Sequence, residues 1–118
     1  MEDTQLLQTI IEGIQEKKGH DITTVDFTNI ESASTRYFVI CQGNSSSQVE
    51  AIADSVREYT RQHTGIKPYG YEGYRNAQWI IIDYGTIFVH IFQPEARNFY
   101  RLEQLWNDAK LTDIANVE

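Results

Sequence analysis

The chain has 118 residues, enough for one domain with its own core and too few for two. Lys and Arg number 10 against 17 Asp and Glu, a formal charge of −7, which argues against affinity gained by neutralising nucleic-acid phosphates and still allows work beside nucleic acid through a basic protein. Cys41 is the single cysteine, so an internal disulfide is excluded and a reducing, cytoplasmic compartment is expected.

The opening MEDTQLLQTIIEG is acidic and has no continuous apolar stretch, so it does not read as a signal peptide, and no run approaches a membrane span. Leu6, Leu7, Ile10, Ile11 and Ile14 recur at helical spacing and predict an amphipathic helix over 3–18, with Gly19 in the left-handed cap position. A strand follows over 21–27, DITTVDF, then a polar connection. The continuously apolar YFVIC of 37–41 predicts a second, central strand. Ser45 with Gln48 forms a capping-box pattern at the head of a helix whose apolar side, Val49, Ile52, Ala53, Val56 and Tyr59, runs to about Gln62. Gly65, Pro68, Gly70 and Gly73 punctuate a connection around a short strand near 69–71.

QWIIIDYGTIFVHIF, residues 78–92, reads as a hairpin turning at Asp83-Tyr84-Gly85-Thr86. Alternation puts Trp79, Ile81 and Asp83 on one face and Ile80, Ile82 and Tyr84 on the other. Both faces therefore carry bulk; helices can cover one, and something must cover Trp79 on the other. Pro94 and Glu95 start a C-terminal helix whose buried side is expected to be Phe99, Leu102, Leu105 and Trp106. The organisation expected is one domain over 1–109 and a polar tail over 110–118. The fold class is α/β, a small mixed sheet flanked by helices.

Several chemistries are weighed and set aside. Gly43-Asn44-Ser45 lies between a strand and a helix, where phosphate loops occur, but the lysine of a phosphate loop and the paired carboxylates of a nucleotidyltransferase are missing; a helix cap is the plainer reading. His20, His63 and His90 are too dispersed for a metal site, and His90 reads as a hydrogen-bonded structural histidine. Cys41 in an apolar strand is expected to be inert. Around the hairpin, Glu72, Gly73, Trp79, Asp83, Arg97 and Tyr100 cluster in sequence. Pattern alone leaves two readings: a protein-docking hot spot, or a core Trp79 with Arg97 paired to Glu103 or Asp83.

Taken together, these residues resemble the ribosomal silencing factors of the Iojap family (RsfS). The matching stretches are KGHDI at 18–22, Asp26, YFVICQGNS at 37–45, QV at 48–49 with AIA at 51–53, and Glu72-Gly73. They continue through WIIIDYG at 79–85, VHIF at 89–92, Arg97, Tyr100 and LEQLW at 102–106. The resemblance implies a non-enzymatic translation repressor without cofactor or metal. It implies binding to the large ribosomal subunit through ribosomal protein L-fourteen, which blocks joining of the small subunit. It further implies a nucleotidyltransferase-like fold lacking catalytic carboxylates, a homodimer when free, and at most minor contact with RNA. Trp79 would belong to the ribosome-contact surface, with Asp83, Tyr84, Gly85, His90, Arg97 and Tyr100 as members of the same motif. The alternative is a degenerate nucleotidyltransferase-like nucleotide-binding enzyme using residues 43–45. Three positions depart from the family's usual pattern: Arg36 and Thr86 stand where acids are common, and Ser47 where a base is common.

Overall fold

Leu6, Ile10 and Ile14 line one side of α1 (Asp3–Glu16) and are almost completely buried, which is what their spacing requires. The structure, a computed structural model, describes residues 3–105 and 108–116. Lys18, at φ 57°, takes the left-handed position after α1 in place of Gly19. Gly19 is needed for a different reason: a Cβ there would lie 2.4 Å from Ile14 Cγ2. Then follow β1 (His20–Asp26), β2 (Tyr37–Gln42) and α2 (Ser46–Thr64). Ser45 Oγ accepts from Gln48 N at 3.1 Å, and Gln48 Oε1 reaches back to the amide of Asn44 at 2.7 Å, so the cap closes one residue earlier than a standard box. Gly65, at φ 76°, ends the helix.

The chain continues as β3 (Gly70–Glu72), β4 (Trp79–Asp83), β5 (Ile87–Phe92), α3 (Pro94–Tyr100), a 3-10 turn (Leu102–Gln104) and β6 (Lys110–Ile114). The six strands form one mixed sheet in the order β3-β4-β5-β2-β1-β6, with β2 and β5 parallel and the other pairs antiparallel. β2 is central, as its unbroken apolar run demands. Both α1 and α2 pack on one face, over Val39, Cys41, Ile80, Ile82, Val89 and Ile91. They approach closely at Gly13, where a Cβ would stand 3.1 Å from Val56 Cα. The opposite face gathers a second core of Val25, Phe27, Ile40 and Phe92, partly covered by Ala96, Leu102 and Ala109. No helix among the described residues is long and apolar enough to cross a membrane.

Two expectations need correction. The polar segment expected as a tail over 110–118 supplies β6, which pairs with β1 residue for residue from Ile22 to Asp26. Thr23 Oγ1 donates to Asp113 at 2.8 Å and Asn116 Oδ1 accepts from the Asp21 amide at 2.9 Å. An edge strand exposed along most of its length has no reason to alternate, so its pattern was polar. The expected buried side of the C-terminal helix also fails: Phe99 is 79% and Leu105 63% exposed, and of the three described residues only Leu102 packs inward. α3 is two turns long and stops where Arg101 adopts φ 48°, so the chain turns back before a third turn could bury that side. Trp106 lies outside the described residues.

Arg36 and Thr86 meet in space. Asp3 of α1 accepts from Arg36 Nη1 at 2.7 Å through one carboxylate oxygen and from Thr86 Oγ1 at 3.0 Å through the other. An acid at either position would face Asp3 with like charge, so the arginine and the threonine belong to one local solution. Thr86→Asp is expected to lower stability by about 1 kcal/mol, and less as salt is raised. Urea unfolding at low and high ionic strength measures this.

Candidate functional site

The approach to Trp79 is fixed by its backbone. Gly73 sits at φ 102°, and a Cβ there would lie 2.1 Å from the carbonyl oxygen of Trp79, so no other residue fits without moving β4. The loop then closes through Ala77, buried at φ 51°, whose amide donates to Gly73 O at 2.9 Å. Gln93 clamps it to the end of β5: its amide donates to Gln78 O at 2.8 Å and its Nε2 to Ala77 O at 3.0 Å. Trp79 enters β4 opposite Phe92 and stacks on it, centroids 5.0 Å apart at 23°. Its Nε1 donates to His90 Nδ1 at 3.1 Å, and the ring of Tyr100 leans on it at 4.7 Å.

The indole is half-buried, with α3 over part of it. Beside it stands exposed aromatic ground: Tyr100 is 47% exposed, and Phe99 meets it edge to face at 5.0 Å. Two shallow concavities flank this ledge. One, about 290 Å³, is lined by Gln78, Gln93, Glu95, Ala96, Phe99 and Tyr100. The other, about 200 Å³, runs between Gly73, Arg75, Trp79 and Tyr100. Apolar rings in the open with polar groups at their margin are the make-up of a protein-docking surface.

The other residues singled out from the sequence divide by position. Asp83 Oδ1 accepts from the Gly85 amide at 2.7 Å, an Asx turn, and Gly85 at φ 83° faces the Tyr69 ring. Both shape the far end of the hairpin. Tyr84 lies beneath α2 on the helix side of the sheet, 5% exposed, with its hydroxyl 2.7 Å from Thr60 Oγ1 and its pKa raised by burial. It serves the core and is not on the face with Trp79. Arg97 is held inside a network: Nε on Glu103 at 3.3 Å, Nη2 on Thr23 Oγ1 and Nη1 on Gln42 Oε1, both at 3.2 Å, and Nη1 on the Asp21 carbonyl. Its role is to tie α3 to β1 and β2, and the Glu103 pairing weighed from the sequence is present. Glu72, in edge strand β3, is exposed beside Gly73.

His90 is 4% exposed, with Ile81 and Ile40 as its cross-strand neighbours and the edge of Phe38 at 4.5 Å. Burial depresses its pKa from 6.5 to about 4. Phe99 is the residue that sequence reasoning assigned to the core and the structure brings into the site. The sequence carried no signal for this, because α3 stops at Arg101, where neither glycine nor proline marks an end.

Residues 43–45 form the α2 cap, and Asn44 Oδ1 lies 2.9 Å from His20 Nε2. Cys41 is fully buried and its thiol is pushed up to about 12 by burial. Among the described residues no group of three His, Cys, Asp or Glu side chains is placed to hold a metal ion.

Gly73→Ala combines a forbidden φ with a backbone clash and is expected to lower stability by about 2–4 kcal/mol in denaturant unfolding. His90 gives stability a pH dependence. Its folded pKa is depressed, so its contribution is intact above about pH 6.5 and is lost as pH falls toward 4. The gap amounts to about 3 kcal/mol. Unfolding curves across that range should show the loss in the wild type and lack that component in His90→Phe.

The RsfS family model, described as ribosomal silencing factor during starvation, matches residues 1–118. The chain is 36% identical over 117 residues to the ribosomal silencing factor RsfS of Halalkalibacterium halodurans, covering 99% of this chain and 98% of that one. It is 36% identical over 114 residues to the RsfS of Bacillus subtilis, covering 97% and 95%. A crystal structure of a protein from Chromobacterium violaceum superposes with a TM-score of 0.85 at 30% identity, covering 98% of this chain and 94% of that one. A family model that spans the whole chain, together with relatives matched almost end to end, makes this protein a member of the RsfS family of ribosomal silencing factors.

Proposed function

We propose that this chain represses translation in the cytoplasm, without enzymatic activity, by docking on the large ribosomal subunit through ribosomal protein L-fourteen. Docked there, its bulk keeps the small subunit from joining. The observation that carries the reading is the aromatic ledge: an exposed Phe99 meets a half-exposed Tyr100, which leans on a half-buried Trp79, on a chain of net charge −7. Burying such rings removes apolar area from water and supplies affinity, while the acidic surface speeds encounter with a basic ribosomal protein. The ledge rests on a strand, a cross-strand stack and a clamped loop, so little ordering remains to be done on binding. RNA contact is secondary in this reading. Free in solution, a second copy covers the same rings, so that dimer and ribosome complex exclude one another.

The alternative, a nucleotide-binding enzyme, would use residues 43–45. Their polar groups are engaged at the head of α2: Ser45 Oγ with Gln48 N, the Asn44 amide with Gln48 Oε1, and Asn44 Oδ1 with His20. No observation favours that reading over docking.

Trp79→Ala is a blunt test, because the indole also packs on Phe92 and its loss would loosen the second core. Phe99→Ala is cleaner, since that side chain stands largely in solvent, and Tyr100→Ala removes a ring that is 47% exposed and touches the indole from outside. Co-sedimentation with separated ribosomal subunits should place the wild type with the large subunit only. Each variant is expected to bind roughly 30-fold or more weakly, with little change in melting temperature. Undiminished binding by both variants rejects the ledge as the docking surface.

A further inference from the structure

The aromatic ledge depends on the orientation of one indole, and the group that sets it lies underneath. Trp79 and His90 are diagonal neighbours across the β4–β5 pair: Trp79 faces Phe92, and His90 faces Ile81. On one sheet face such diagonal side chains are within reach of each other when large. Here they meet through the contact from Trp79 Nε1 to His90 Nδ1 at 3.1 Å. An indole N–H can only donate, so Nδ1 must be the unprotonated nitrogen and the proton resides on Nε2. Nε2 has no hydrogen-bond partner among the described residues, so the ring has a single polar tie, and that tie goes to Trp79.

The imidazole cannot easily turn away from this duty. It is held edge to face against Phe38 at 4.5 Å, lies nearly parallel to Phe92 at 6.3 Å, and is shut from solvent. The indole is less constrained. It is half-buried, with Phe92 below and Tyr100 leaning on it, and both are ring contacts that tolerate sliding and rotation. Among the described residues, the hydrogen bond is the one directional contact on the ring. Tyr100 in turn rests on the indole, so the exposed part of the ledge inherits whatever orientation the indole has.

We propose that His90 is the positioning residue of the docking surface: its Nδ1 fixes the rotation of the Trp79 indole and thereby the place of Tyr100 beside it. This rests on the docking reading above and assigns His90 a role underneath the contact rather than in it. The burial that keeps the imidazole neutral suits the role, because a protonated Nδ1 could not accept the indole proton.

Three forms separate this role from simple core packing. His90→Phe keeps a ring of similar footprint and removes the acceptor. His90→Asn places a carbonyl oxygen near the position of Nδ1 and so restores it. The Trp79 indole replaced site-specifically by benzothiophene removes the donor alone and leaves the histidine in place, which keeps the test available if His90→Phe does not fold. Co-sedimentation with isolated large subunits is read on all three, and the 15N-indole resonance of Trp79, assigned by its loss in Trp79→Phe, on the wild type and the two His90 variants.

The expected result has the Trp79 indole proton protected from exchange in the wild type and in His90→Asn, and unprotected in His90→Phe. Binding should fall roughly tenfold in His90→Phe and in the benzothiophene form, and recover in His90→Asn. If the wild type sediments with large subunits and the acceptor-free and donor-free forms sediment equally well, the positioning role is overturned and docking stands. If both His90 variants weaken binding alike, His90 acts through packing only and the role is again overturned. A wild-type chain that does not sediment with the large subunit removes the docking reading itself, and this inference with it.

Discussion

Side-chain alternation in the paired strands β4 and β5 governs the rest of the molecule. With a period of two, Ile80, Ile82, Val89 and Ile91 point to one face while Trp79, Ile81, His90 and Phe92 point to the other, and nearly every one of these groups is bulky and apolar. The two long helices suffice to seal the first face. The second receives a two-turn helix, a 3-10 turn and the 27–33 connection, which cover its centre and leave its margin open. The half-covered Trp79 and the exposed Phe99 and Tyr100 are consequences of that shortfall in helix, which makes the aromatic ledge a built feature of the sheet.

Rigidity under the ledge comes from backbone as much as from rings. Gly73, Ala77 and Gln93 determine where β4 begins, and a one-residue slip there would exchange its two faces, putting Ile80 outside and Trp79 under the helices. Arg97 works at the other side of α3, where its guanidinium bonds to Glu103, Thr23, Gln42 and the Asp21 carbonyl. Since Thr23 also holds Asp113 of β6, the C-terminal strand and the helix carrying Phe99 and Tyr100 are anchored to the same residue of β1. The composition of this face is thus supported from β1, β2 and β5 together.

The residues singled out around the hairpin mix four kinds that only look alike in one dimension. Asp83 and Gly85 are turn chemistry, Tyr84 belongs to the helix-side core with Thr60, and Arg97 is a brace. Trp79 and Tyr100 remain as surface, joined by Phe99. Parity already separated Tyr84 from Trp79, since they are five residues apart along one extended run. Nothing comparable marked Phe99, whose helical spacing from Leu102 suggested a shared buried side that the stop at Arg101 never allows. Likewise Arg36 and Thr86 read as unrelated exceptions until Asp3 is seen to bind both.

Local chemistry, acting over a few residues, is written in the chain and could be read from it. This holds for the helices with their apolar stripes, the cap at Ser45, the hairpin with its two bulky faces, the central place of β2 and the inertness of Cys41. The tertiary structure alone decided which strand partners which and therefore what each face meets. It placed β6 on the edge of β1 and turned Phe99 outward. It also brought an imidazole under an indole from the other arm of the hairpin. Such outcomes rest on contacts between residues distant in sequence, where packing and hydrogen-bond geometry override the preferences of any single segment.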